Sequence, residues 1–190
     1  GDKTQVKQSW TLEESMKVLR HAIHDDQMDC FLHLMLRTGF RPGEALGLRW
    51  DDVDLDRGLV HVTGTLRAER RILPTGEGIV RTVRNDPKTV HSRRTLLIDA
   101  ELKAALERQQ MRQSVAQVTA GDKWKGSPYV ITSAVGTPVN SSNLRNQFNR
   151  FLKQAGIRQI RLHDMRHGVA RRGLEADIRI EDVSQAFGHT

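Results

Sequence analysis

"TGFRPGEALGLRW", Thr38 to Trp50, breaks an apolar stretch with Gly39, Arg41 and Pro42. Gly39 is suited to end a helix, because glycine enters the left-handed backbone region without a Cβ penalty. Pro42 is suited to begin another, because the N–H it lacks has no partner in a first helical turn. The stretch therefore predicts a helix end, a corner, and a short new helix whose Ala45, Leu46 and Leu48 pack inward. Arg41 stands immediately before that new helix.

Towards the N-terminus, "MDCFLHLMLRTG" is apolar on most of its circumference and predicts a central core helix, with His33 as a packed core histidine. Cys30 is the only cysteine, so an internal disulfide is excluded, and its apolar neighbours point to burial. Earlier still, "SWTLEESMKVLRHAI" places Thr11 three residues before Glu14, the pattern of a capping box, with Leu12, Met16, Leu19 and Ile23 as the expected apolar face. Residues 1–10 read as a polar arm or linker.

Beyond Trp50, a turn-rich "DDVDLDRG" leads to "LVHVTGTL", whose alternation predicts a strand, and "GIVRTVRN" and "RRTLLID" predict two more. "RAERRILPTGEG" and "DPKTVHS" are the expected links, giving one small three-stranded antiparallel sheet. Helices follow again: "AELKAALERQQMRQSVAQVTAG" with Leu102, Ala105 and Leu106 on one face, and "SSNLRNQFNRFLKQAG" with Leu144, Phe148, Phe151 and Leu152. "LHDMRHGVARRGLEA" and "IEDVSQAFG" close the series, and "YVITS" before them is a brief extended piece. The expected class is α+β and mostly helical, one domain over residues 11–190.

Thirty Lys and Arg against 23 Asp and Glu give a formal charge of +7. Between Arg145 and Leu174 the basic residues are accompanied by a single acid, Asp164, whereas Asp51 to Asp56 is acidic. Such polarity suits a protein with one face towards a polyanion, although a solvated basic surface has the same composition. No apolar run approaches the roughly 20 residues of a membrane span. No signal peptide is visible at the N-terminus, so a cytoplasmic location is the default.

"LHDMRHG", residues 162–168, sets His163 and His167 one helical turn apart, the spacing of a zinc-protease helix. Asp164 is shorter than the glutamate that such a site uses, and Arg166 puts a fixed cation between the two proposed ligands. His163 and Arg166 together suit phosphoryl transfer instead, because imidazole moves protons near neutral pH and guanidinium binds phosphate oxygens in a planar fork. A merely structural His163 stays open on these residues alone.

"TGFRPGEALGLRW", "DPKTVHSRRTLLI", "LHDMRHGVA" and "QAFGH" occur in that order over almost the whole chain. Together they closely resemble the catalytic domain of the tyrosine recombinases, the lambda-integrase family, whose fold is shared with type IB topoisomerases. The resemblance implies that Arg41, Lys88, His163, Arg166 and His189 are the catalytic set. Arg41 and Arg166 would neutralise the phosphorane-like transition state, Lys88 protonate the leaving 5′-oxygen, His163 serve as acid or base towards the attacking phenol, and His189 donate to the phosphate. Glu44 would orient the site, while Asp164 and His167 would support it. Arg67, Arg84, Arg93, Arg145 and Arg161 are the candidate DNA contacts. No cofactor or metal is implied, because the protein supplies the cations.

In this family a tyrosine attacks to give a 3′-phosphotyrosine link, roughly ten residues after the histidine matching His189. Tyr129 is the only tyrosine and precedes "LHDMRHG", where a packed residue is expected. The expectation is a catalytic domain cut before its nucleophile, binding double-stranded DNA without cleaving it. In full-length form it would join other protomers in a tetrameric synapse, with accessory directionality proteins, in a bacterial, nucleoid-associated setting such as a phage or other mobile element. A non-catalytic DNA-binding module, a type IB topoisomerase and, last, a zinc hydrolase are the alternatives.

Overall fold

The computed structural model describes residues 9–72, 74–75, 78–85 and 93–165. Helix α1 spans Leu12–Ala22, and its capping box is reciprocal: the Glu14 N–H donates to Thr11 Oγ1 at 3.1 Å and the Thr11 N–H to Glu14 Oε2 at 2.8 Å. The buried face is not the expected one. Ser15, Val18 and Ala22 are buried, whereas Leu12 and Met16 are 60% and 50% exposed and Ile23 also faces out. Small residues let α1 lie close on α2, and Trp10 supplies the bulk instead.

Trp10 is buried beside Phe148, with ring centroids 6.0 Å apart, and its Nε1–H donates to the Arg158 carbonyl at 3.0 Å. The packed domain thus includes a residue that the sequence reading placed in the arm.

Helix α2, Asp29–Thr38, is the centre of the core, with Phe31, Leu32, Leu34 and Met35 wholly buried. It ends at Gly39, whose φ of 69° is the left-handed value that glycine tolerates best. His33 is buried and its Nδ1 lies 2.9 Å from the Asp29 carbonyl. The Asp29 carboxylate accepts from Arg108 Nε at 2.7 Å and Arg112 Nη1 at 2.8 Å, tying α2 to α4, Ala100–Ala120. Burial alone would raise the Asp29 carboxyl, but His33 and the two guanidinium groups hold it well below the usual carboxylate range.

Helix α3 spans Pro42–Gly47, and a 3-10 turn over Trp50–Asp52 leads into the strands. Strands β1 (Val53–Asp54), β2 (Leu59–Val62) and β5 (Arg94–Leu97) form an antiparallel sheet in the order β1-β2-β5, with Val53 opposite Val60 and Leu59 opposite Leu97. Strands β3 (Thr65–Ile72) and β4 (Gly78–Asn85) form a separate two-stranded ribbon, paired from Thr65 with Asn85 to Ile72 with Gly78.

The small three-stranded sheet is therefore present with different members. "LVHVTGTL" divides at Thr63 and Gly64, "GIVRTVRN" leaves the sheet, and the expected link "RAERRI" is its partner strand. Gly64 sits at the division, and a Cβ there would lie 2.4 Å from Arg84 Cζ, so the glycine leaves room for the guanidinium where it is placed.

Helix α5, Ser141–Gln154, is capped by Asn140, whose Oδ1 accepts from the Ser142 and Asn143 N–H groups. It buries Leu144, Phe148, Phe151 and Leu152. Between α4 and α5, "YVITS" is an extended segment stitched to α4 by Gln113, whose Nε2 donates to the Tyr129 and Val130 carbonyls at 3.0 and 2.9 Å. Tyr129 is buried under the Arg49 guanidinium, 5.7 Å from its ring centroid. Among the described residues, no helix is long and apolar enough to cross a membrane.

Candidate active site

Arg41 occupies the N-cap of α3 in extended backbone, the conformation that a residue before proline favours. One turn on, Glu44 folds back to it. The Arg41 N–H donates to Glu44 Oε2 at 2.8 Å and Arg41 Nη1 to Oε1 at 2.9 Å. Glu44 is only 6% exposed, whereas the Arg41 side chain is 52% exposed, so one carboxylate anchors a guanidinium that faces solvent.

A second arginine completes the anchor. Arg94, at the start of β5, donates Nη1 to Glu44 Oε1 at 3.2 Å and Nη2 to Oε2 at 2.8 Å, and its guanidinium carbon lies 5.5 Å from the Phe40 ring centroid. Burial would push the Glu44 carboxyl up, but the Arg94 fork, with help from Arg41, holds it below the usual range. The carboxylate stays charged and the pair of arginines stays fixed.

Arg94 is the site residue that the sequence reading missed in favour of Arg93. Strand residues two apart share a face, so Arg94 goes with Leu96 and Arg93 with Thr95 and Leu97, and which face turns inward is decided by the sheet. The structure has Leu96 buried, Arg94 half-buried and Arg93 exposed.

His163 is exposed on the turn after Ile160 and lines a surface cavity of about 540 Å³ with Pro42, Arg145 and Arg161. Ser141 and Ser142, at the N-terminal end of α5, form another wall. The structure thus brings His163 beside Pro42, the chain neighbour of Arg41, across more than a hundred residues of sequence. Asp164 is turned inward, accepting from Arg161 Nε at 3.0 Å while its own N–H donates to the Arg161 carbonyl at 2.9 Å.

Of the candidate DNA contacts, Arg67, Arg93, Arg145 and Arg161 are exposed. Arg84 is placed differently. Its side chain is 13% exposed, and its Nη2 donates to Thr63 Oγ1 at 2.6 Å and lies 3.9 Å from Asp52 Oδ2, so it secures the root of the ribbon. Lys88, Arg166, His167 and His189 lie outside the described residues.

The chain as a whole is similar to known proteins. The profile of the Phage integrase family matches residues 9–190. A tyrosine recombinase XerC-like protein of Caldanaerobacter subterraneus subsp. tengcongensis is 30% identical over 94% of this chain and 46% of its own length. An integrase of Streptomyces ambofaciens is also 30% identical, over 100% of this chain and 48% of its own. The chain spans about half the length of the curated relatives it matches.

Among solved structures, the Tn1549 transposon integrase in complex with transposon right end DNA aligns over 100% of this chain and 60% of that one, with a TM-score of 0.73 at 19% identity. XerA recombinase aligns over 96% of this chain and 56% of its own, with a TM-score of 0.66 at 20% identity. The mixed fold, helical around small antiparallel sheets, is that of the catalytic domains of these enzymes. With its profile matched from residue 9 to residue 190, the chain belongs to the phage integrase family of tyrosine recombinases.

Proposed function

We propose that the chain is the catalytic domain of a site-specific DNA recombinase, which breaks and rejoins DNA strands through a 3′-phosphotyrosine link. The observation that carries this reading is Arg41, exposed yet anchored by the buried Glu44–Arg94 fork, beside a cavity that His163, Arg145 and Arg161 line. An arginine so held is preorganised: its charge meets the nonbridging oxygens of the scissile phosphate without reorganising at the moment of reaction.

In this mechanism the phosphate of duplex DNA enters the cavity, and Arg41 with Arg166 neutralises the charge that develops on it. His163 exchanges the proton of the attacking phenol, Lys88 protonates the departing 5′-oxygen, and His189 donates to the phosphate. Glu44, Asp164 and His167 position these groups. Arg145 and Arg161 supply flanking phosphate contacts, as does Arg93. The attack is assigned to a tyrosine other than Tyr129, which is buried against α4 and Arg49. By itself the 190-residue chain binds duplex DNA in a salt-dependent manner and does not cut it. Assembly with other protomers in a tetrameric synapse, accessory directionality proteins and a nucleoid setting complete the proposal.

The test uses the parent protein that contains these residues, incubated with nicked suicide DNA carrying its attachment site. A covalent 3′ adduct is expected, and Arg41→Ala should reduce its rate by roughly a hundredfold or more, the usual cost of losing one oxyanion donor. DNA binding without any adduct would overturn the catalytic reading and leave a DNA-binding module.

A further inference from the structure

We propose that Arg84 is a positioning residue for the proton donor to the leaving group: it fixes the point from which the segment bearing Lys88 departs. This rests on the recombinase reading above and on the role given there to Lys88. Residues 86–92 join the end of β4 to Arg93, and Lys88 stands four residues beyond Arg84 in sequence. Four residues span at most about 14 Å of extended chain. Where β4 ends therefore limits where the ammonium can be offered.

Strand register marks that point. Asn85, the last residue of β4, is opposite Thr65, and Arg94, the first of β5, is opposite Val62. Only Thr63 and Gly64 separate Val62 from Thr65 on the partner strands, so both ends of the Lys88 segment meet the sheets at this one division. The Arg84 side chain fills it: a Cβ on Gly64 would lie 2.4 Å from Arg84 Cζ and 2.6 Å from Nη2.

The guanidinium is held there by a relay. Arg84 Nη2 donates to Thr63 Oγ1 at 2.6 Å, and that hydroxyl donates to Asp52 Oδ1 at 2.7 Å. Asp52 Oδ2 accepts from the Arg49 N–H at 3.2 Å and lies 3.9 Å from Arg84 Nη2. Arg84 Nε also reaches the Gly47 carbonyl, at the end of α3, at 3.5 Å. The end of β4 is thus referred to the helix whose first turn presents Arg41. Arg94, beyond the other end of the Lys88 segment, is joined to Glu44 of the same helix. An arginine near each end ties the segment to the frame that sets the phosphate-binding guanidinium.

Stability alone gives little reason for a guanidinium at this place. The Arg84 and Asp52 side chains are 13% and 12% exposed, and a buried ion pair is often no more stabilising than apolar side chains of similar volume. What the guanidinium adds is direction, because a rigid fork on fixed oxygens allows one placement. Proton transfer needs that placement, since an error of about 1 Å costs on the order of a hundredfold in rate.

In the cleavage step the phenol oxygen bonds to phosphorus, and the bond from phosphorus to the 5′-oxygen breaks with its electron pair going to that oxygen. The Lys88 ammonium gives the 5′-oxygen a proton and becomes a neutral amine. With sulfur in place of the bridging 5′-oxygen, the thiolate leaves without a proton, because a thiol is a far stronger acid than an alcohol.

The experiment uses the parent protein, saturating nicked suicide DNA carrying its attachment site, and the same DNA with sulfur at the bridging 5′ position. Single-turnover adduct rates are compared for the wild type, Lys88→Ala, Arg84→Met, Thr63→Val and Arg94→Ala, with circular dichroism reporting the fold of each. Lys88→Ala should lose about a hundredfold or more on the oxygen substrate and little on the sulfur substrate. Arg84→Met should lose at least about tenfold on oxygen and no more than about twofold on sulfur, and Thr63→Val should repeat that pattern. Arg94→Ala should be slowed alike on both, because it acts through Arg41 on the nonbridging oxygens. If Arg84→Met is slowed equally on both substrates, or not at all, while sulfur rescues Lys88→Ala, the inference is overturned and the recombinase reading stands. If Arg84→Met and Thr63→Val both fail to fold, the relay is structural only and the inference again falls. If sulfur does not rescue Lys88→Ala, or the wild type forms no adduct, the role of Lys88 and the inference fall together.

Discussion

Arg94 grips Glu44 through both carboxylate oxygens, at 3.2 and 2.8 Å, and Glu44 in turn holds Arg41 by its backbone and its side chain. A residue on β5 therefore decides where the exposed guanidinium of α3 stands. The coupling runs through one buried carboxylate.

Substituting Arg94 should consequently act on catalysis more than on DNA binding. In the parent protein, Arg94→Ala is expected to slow adduct formation by about tenfold to a hundredfold, roughly 1.4 to 2.7 kcal/mol of barrier, with a small change in affinity for DNA. Arg94→Lys keeps the charge but loses the planar fork, and should recover only part of the rate. In a double-mutant cycle with Glu44→Gln, a coupling of about 1 to 2 kcal/mol is expected. Strictly additive losses would show that the two residues act separately.

The contact between α3 and the ribbon leaves no room for a side chain at Gly43. A Cβ there would lie 2.5 Å from Thr65 Oγ1 and 2.8 Å from the Leu66 carbonyl oxygen. Gly43→Ala should cost about 1 to 3 kcal/mol, as overpacking does, seen as a lower urea midpoint. Adding Thr65→Ala removes the hydroxyl but not the carbonyl, so it should restore only part of the loss. Full restoration would place the strain in the hydroxyl alone.

Asp29 links pH to stability. Its carboxyl is held lower in the folded chain than its ordinary value of about 3.9, so the unfolded chain binds more protons in acid. The contribution is complete above about pH 4 and is lost as the pH falls below it. Asp29→Asn takes the carboxylate from Arg108 and leaves Arg112 with Asp26 alone, and should cost about 3 kcal/mol at pH 7. Urea unfolding at pH 7 and again near pH 3 should show that gap narrowing in acid; an equal gap at both would refute the linkage.

Trp10 separates packing from hydrogen bonding. Trp10→Phe keeps a ring against Phe148 and loses the bond to the Arg158 carbonyl, an expected cost of about 1 kcal/mol. Trp10→Ala also empties the core site and should cost about 3 to 5 kcal/mol. Equal shifts of the two variants in thermal unfolding would assign the whole effect to the hydrogen bond.

Much of this molecule is readable along the chain. Thr11 and Glu14 announce the start of α1, Gly39 the end of α2 and Pro42 the start of α3, because a cap or a left-handed turn depends on a few consecutive residues. The order of four short motifs was enough to reach the family, since each motif is local and only their succession had to be recognised. The inward turn of Asp164 is likewise a contact three residues long.

Other features depend on what lies across the fold. The apolar stripe Leu12, Met16 and Ile23 stays outside because α1 buries its smaller face, Ser15, Val18 and Ala22, instead. "RAERRI" shows no apolar alternation, so its strand is invisible to periodicity, and only its pairing with "GIVRTVRN" reveals it. Arg93 and Arg94 are chemically alike, and the choice of which one reaches Glu44 falls to strand β5, whose register buries Leu96. Arg84 is drawn inward by Thr63 and the space above Gly64. Local backbone chemistry is written in neighbouring residues, but the partner of a strand or a guanidinium is chosen by packing among residues far apart in the chain, and only the folded structure brings those together.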